Sequence, residues 1–149
     1  MTPASDIAKY ILNFFQERGD LITNLKLQKL LYYVQGWHLG LYGKPVFPES
    51  LQAWVHGPVQ PDVYAQYKKF RWNPIVDEID APKIAKKLQQ HIDEVLAVYG
   101  TEPAYVLERM THQEDPWQHA RHGLQPDMES TAEITPGSMC EFFKQRANG

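Results

Sequence analysis

The segment from Asn24 to Tyr42 sets the terms for any fold this chain can adopt. Leu27, Leu30, Leu31, Val34, Trp37 and Leu41 recur at intervals of three and four, the spacing that places side chains along one side of an α-helix. Thr23 or Asn24 supplies an N-cap, and Gly43 followed by Pro45 supplies the stop. At ~1.5 Å per residue the helix is about 28 Å long, enough to cross a small domain, so it is expected to be the spine. Gly36 and Gly40 flatten one side of it. In a membrane that spacing marks dimerising helices; here it predicts close packing against another element of the same chain.

Shorter elements surround this spine. Ser5 is placed to cap a first helix carrying Ile7, Tyr10, Ile11, Phe14 and Phe15, which ends at Gly19. Leu51, Ala53 and Val55 alternate with Gln52 and Trp54, predicting a short strand that stops at a Gly57-Pro58 turn. Pro61 and Asp62 open a third helix. A fourth follows Pro82 and buries Ile84, Leu88, Ile92, Val95, Leu96 and Tyr99. Thr101 is placed to cap a fifth, with Tyr105, Val106, Leu107 and Met110 as apolar candidates. Asp115-Pro116 begins a short helix, residues 125–133 read as a polar loop, and Thr135-Pro136 opens a last helix with Met139, Phe142 and Phe143. The sum is a mainly α, compact helical fold of six to seven helices with a minor short-strand element, one domain over residues 1–149.

Composition agrees with a single self-sufficient core. In 149 residues, 43% are apolar and 22% charged, and a chain of this size buries roughly 70% of its unfolded surface. The net charge of −3 offers no broad basic field for nucleic acid. One cysteine, Cys140, excludes an intramolecular disulfide and a thiolate-rich zinc site, which points to the cytoplasm. Asp6, Lys9 and Glu17 interrupt the N-terminal apolar residues, so no secretory leader is expected. The longest stretch free of Asp, Glu, Lys and Arg, Leu30 to Gly43, is too short and too polar to span a bilayer.

Chemistry-bearing patterns are few. His112, His119 and His122 lie near Glu114 and Asp115, the right ligand types for zinc or iron, but without His-Glu-x-x-His spacing. The plainer reading has Asp115 capping a helix, Trp117 anchoring it and the histidines facing water. No Gly-x-Ser-x-Gly turn or phosphate-binding glycine loop occurs. Lys68, Lys69, Phe70, Arg71 and Trp72 could grip single-stranded nucleic acid, although Asp77, Glu78 and Asp80 nearby favour a solvated face. Four Trp, eight Tyr and six Phe make 12% of the chain, and most belong to the core of a domain this small. The adjacent Tyr32 and Tyr33 point about 100° apart on a helix, so one is expected to face outward or into a groove, which favours protein binding.

The spine helix also carries a family resemblance. The run Leu25-Lys26-Leu27-Gln28-Lys29-Leu30-Leu31-Tyr32-Tyr33-Val34-Gln35-Gly36-Trp37-His38-Leu39, then Leu41-Tyr42-Gly43-Lys44-Pro45, resembles the signature of the Panacea domain, also called SocA-like or phage-associated GepA-like. Phe47, Ala53-Trp54, Gly57-Pro58-Val59, Pro61, Tyr64, Thr111-His112, Glu114-Asp115-Pro116-Trp117 and Ala120-Arg121 follow in order. The resemblance implies a non-enzymatic, cofactor-free antitoxin that neutralises a cognate protein toxin encoded nearby, by a blocking complex or by delivery to a Clp-type protease. Within the matched motif Leu27, Leu30, Leu31, Trp37 and Trp54 are expected in the core, with Gly57-Pro58 shaping a turn. Lys26, Gln28, Lys29, Tyr33 and His56 are polar or amphipathic enough to reach a surface, and they are the expected toxin contacts unless the motif encodes fold alone. Two readings of other classes stand beside it: a metal enzyme using His112 to His122, and a nucleic-acid-binding regulator using Lys68 to Trp72.

Overall fold

The computed structural model describes all residues, Met1–Gly149. Helix α1 spans Ala4–Glu17 and α2 Asn24–Tyr42; strands β1 (Leu51–Trp54) and β2 (Gly57–Val59) precede α3 (Pro61–Tyr67) and a 3₁₀ turn at Lys68–Phe70. Then come α4 (Lys86–Tyr99), α5 (Ala104–His112), α6 (Asp115–Ala120), β3 (Glu133–Ile134) and α7 (Pro136–Asn148). The architecture is mainly α, with one small sheet in the order β2-β1-β3, antiparallel throughout.

Helix α2 is capped as its sequence requires. The Thr23 side chain accepts from the Lys26 amide at 3.2 Å, and Gly43 ends the helix with φ +70°. Its surroundings differ from the one-sided stripe its leucines suggest. Every residue from Leu27 to Gly36 is buried, because α1, α3, α4, α5, α7 and β2 all pack around it. Leu41, by contrast, is 48% exposed, since the helix emerges from the core before its end. Trp37 and Trp54 are only half-buried.

Helix α7 lies along the flattened side of α2. A Cβ at Gly36 would stand 2.2 Å from Phe143 Cε2, and one at Gly40 would stand 2.7 Å from the Phe143 carbonyl carbon. The two glycines are thus the notch that seats Phe143, as their spacing predicts. That ring also meets Tyr32, Tyr33 and Trp37 at centroid distances of 5.6, 6.1 and 5.2 Å.

Several boundaries move. Ser5 lies inside α1, which begins after Pro3 without a side-chain cap. Helix α4 starts at Lys86, so Ile84 is buried ahead of it, and α5 starts after Pro103, leaving Thr101 outside. Tyr105 is 68% exposed. Gly57-Pro58 is not the turn: Trp54 pairs with Gly57, Ala53 with Pro58, and the two-residue loop is Val55-His56. Gly57, at φ +106°, is tolerated there as the first residue of β2. Residues 133–134, read as the edge of a loop, add β3 to β1. The irregular stretch after the 3₁₀ turn is pinned to α1, where Asn13 Nδ2 donates to Ile79 O at 2.9 Å and Gln16 Nε2 to Asp77 O at 2.7 Å.

Candidate functional site: a groove at the hairpin tip

Four of the five polar residues expected at a surface are tied into the fold. Gln28 is fully buried: its Nε2 donates to Asn24 Oδ1 at 2.9 Å, and its Oε1 accepts from the Gln60 amide at 2.9 Å. Tyr33 is fully buried as well, its hydroxyl donating to Glu114 Oε2 at 3.0 Å and its ring stacked 3.9 Å from that of Tyr99. Lys26 is half-buried, with Nζ donating to Gly100 O at 2.6 Å, where the C-terminal carbonyls of α4 favour a cation. These residues cross-link α2 to its neighbours because a helix enclosed on all sides must find partners for each polar group it buries.

Glu114 is the densest of these knots. It is 3% exposed and accepts from the hydroxyls of Tyr32 at 2.9 Å and Tyr33 at 3.0 Å and from Arg146 Nη1 at 3.1 Å. Burial raises its pKa above the usual carboxylate value, against the lowering effect of the three donors. Asp115, expected to cap α6, is instead its first helical residue, and Glu114 occupies the cap position with its side chain committed to the tyrosines. Pro116 and Trp117 are buried, as an anchor requires.

Lys29 is fully buried, and Nζ donates to Pro58 O at 3.2 Å. Gly57 packs on its methylenes: a Cβ there would stand 2.6 Å from Lys29 Cε. Burial pushes the ammonium down to about 7, with Glu108 opposing. The unfolded chain holds this proton up to its ordinary value of 10.5. Between those values the unfolded state binds more protons, so the Lys29 contribution makes stability rise with pH. Lys29→Met removes it. The difference in unfolding free energy between variant and native chain is expected to change by about 1.4 kcal/mol per pH unit between about pH 7 and pH 9, in favour of the native chain as pH rises. Urea titrations at several pH values check this; parallel pH curves for the two proteins would count against it.

His56 is the one expected contact that is open to a partner. It sits at the tip of the β1–β2 hairpin with its side chain 72% exposed and Nδ1 3.3 Å from Glu108 Oε1. Trp54–His56 form one wall of a groove of about 600 Å³, and Asp127 with Glu129–Thr131 form the other. Both walls are fastened from below. Trp117 Nε1 donates to Trp54 O at 2.7 Å, and Arg121 Nη1 donates to Ala53 O at 3.0 Å. Arg121 Nη2 holds the far wall through Gln125 O at 3.0 Å and also Met128 O, while its guanidinium lies 4.6 Å over the Trp117 ring. The Trp117 and Arg121 positions of the sequence motif are therefore groove builders.

The remaining sequence candidates do not assemble. His119 and His122 are exposed, whereas His112 stacks 4.2 Å from Trp117, and no group of three His, Cys, Asp or Glu side chains converges as a metal site. Lys69 pairs with Asp77 at 3.2 Å, while Trp72 stands 78% exposed beyond it. Cys140 is half-buried, its Sγ 3.2 Å from Leu39 O. No helix is long and apolar enough to cross a membrane. The far wall of the groove went unseen in the sequence, because residues 125–131 carry only the polarity of a loop; Asp127 and Glu129 come to line the groove only once Arg121 folds that loop beside the hairpin.

Comparison with known proteins bears on the same segments. Residues 27–118, from Leu27 in the spine helix through Gln118 in α6, match the family model described as Antitoxin SocA-like, Panacea domain. The chain is 31% identical over 138 residues to Antitoxin SocA of Caulobacter vibrioides (strain NA1000 / CB15N), covering 81% of this chain and 73% of that protein. No solved structure matches it. The α2 motif, the hairpin and the Glu114–Trp117 anchor thus make this chain a member of the SocA-like Panacea-domain antitoxin family.

Proposed function

We propose that this protein is an antitoxin that neutralises a cognate protein toxin by direct contact, acting as a binding protein and not as an enzyme. Family membership supports the antitoxin role. The observation that carries the contact surface is the position of His56, which alone among the five motif residues expected at an interface is exposed and lines a groove with fastened walls. Gln28, Lys29 and Tyr33 then act from within, holding the end of the hairpin and the Glu114 segment in place, while Lys26 ties α2 to the end of α4. A pre-organised surface loses little entropy on docking, which favours tight binding.

The test is co-expression. The small gene adjacent to this one is expected to arrest growth alone and to be harmless with this protein, and the two products are expected to co-elute in size-exclusion chromatography. Persistent toxicity despite good expression of this chain would remove the assignment to that neighbour. Sequestration and delivery to a protease separate in a host lacking Clp-type proteases: rescue there identifies a blocking complex, and lost rescue identifies delivery.

A further inference from the structure

We infer that the groove at the hairpin tip takes a basic segment of the partner protein, with a lysine or arginine side chain seated between Trp54 and the carboxylates of Asp127 and Glu129. This inference rests on the antitoxin reading for the identity of the partner, and on the groove itself for the chemistry.

The charge distribution is one-sided. Asp127 and Glu129 take part in none of the chain's three ion pairs, and Glu108 adds a third carboxylate beside His56. No Lys or Arg lines the groove. The two basic side chains built into its support face inward onto carbonyl oxygens: Arg121 onto Ala53, Gln125 and Met128, and Lys29 onto Pro58. Asp127 and Glu129, two residues apart on the same wall and without a cationic partner, repel one another, and an incoming cation relieves that repulsion. Trp54 supplies what a bare acidic cluster lacks. Its half-buried ring is fixed by Nε1 donation to Gln52 Oε1 at 2.8 Å and by an edge contact with Tyr64 at 5.0 Å. A fixed indole is the best aromatic surface for a guanidinium or ammonium. Ser130 and Thr131 add hydroxyls for the polar backbone of an extended segment. At about 600 Å³ the space suits a few side chains and not a large folded element.

The probe is acetylated tetra-arginine amide, titrated into the full ¹⁵N-labelled chain, with tetra-glutamate as control. Shifts are expected at the Trp54 indole and at the amides of His56 and 127–131 with the arginine peptide alone, fading as salt is added. Asp127→Lys/Glu129→Lys, at two exposed positions, is expected to keep the native spectrum elsewhere and to abolish these shifts. In the toxin complex the same pair is expected to weaken affinity roughly tenfold to a hundredfold and to lose rescue on co-expression. No shift at millimolar arginine peptide, or full toxin affinity in the reversed-charge variant, would overturn the inference while leaving the antitoxin reading intact. Failure of the native chain to bind its neighbour's product would instead undo the antitoxin reading, and the peptide titration would still decide the chemistry of the groove.

Discussion

Gly40→Ala is expected to lower the unfolding free energy by about 3 kcal/mol, at the upper end of what overpacking costs, although alanine gains about 1 kcal/mol over glycine inside a helix. The new Cβ would meet Phe143 Cβ at 2.6 Å, the Phe143 carbonyl carbon at 2.7 Å and the Lys144 amide nitrogen at 2.8 Å. Two of these are backbone atoms of α7, so no rotamer change relieves the contact and the whole helix must move away from α2. Gly36 gives the control. There the Cβ would meet only ring atoms of Phe143, at 2.2 to 2.8 Å. In a Phe143→Ala background Gly36→Ala is therefore expected to lose most of its cost, while Gly40→Ala keeps its own. Urea denaturation of the five variants, the three single substitutions and the two doubles, gives the coupling energies; equal behaviour of the two glycines would refute the notch as drawn.

Glu114→Ala is expected to cost about 3–5 kcal/mol, the range for removing one partner from a buried charged cluster. The hydroxyls of Tyr32 and Tyr33, both fully buried, lose their acceptor. Arg146, whose side chain is 48% exposed, can turn to solvent and contributes less. Removing the carboxylate and both buried hydroxyls together should be far milder, so Glu114→Met with Tyr32→Phe and Tyr33→Phe is expected to regain most of the loss. A triple variant no more stable than Glu114→Ala would show that packing around the carboxylate, and not its hydrogen bonds, holds the knot. The pH dependence carries a further sign. Burial raises the Glu114 pKa, so the folded chain binds that proton more tightly than the unfolded one. Its contribution is therefore fully present at low pH and is lost as pH rises from the unfolded value, near 4.5, through the raised one. Glu114→Ala should flatten that portion of the stability curve.

The parts of this fold that could be read in advance are those decided within a few residues. Thr23, Thr135 and Gly43 end helices through contacts with their own neighbours in sequence, and each does so as expected. Pro61 and Pro136 open helices for the same local reason. Side-chain type alone misplaced Gln28, Lys29 and Tyr33, because polar residues are mostly exposed. What lets them be buried is a set of partners 81 residues away for Tyr33, 32 for Gln28 and 29 for Lys29. Strand β3 was unreadable on the same ground: two residues carry no periodicity, and their pairing with Leu51 and Gln52 exists only once the chain has returned to β1.

Local sequence was enough for the helical class, the spine, several of its helix ends, the close packing at Gly36 and Gly40, and the family. Long-range packing settled which polar groups became internal ties and which stayed exposed. The reason is range. Capping and helical periodicity act over one or two turns, while burial of a charge or a hydroxyl depends on a donor or acceptor delivered from another element. So the motif that announces the family is mostly interior, and the groove it supports is completed by a loop whose sequence gives no sign of it.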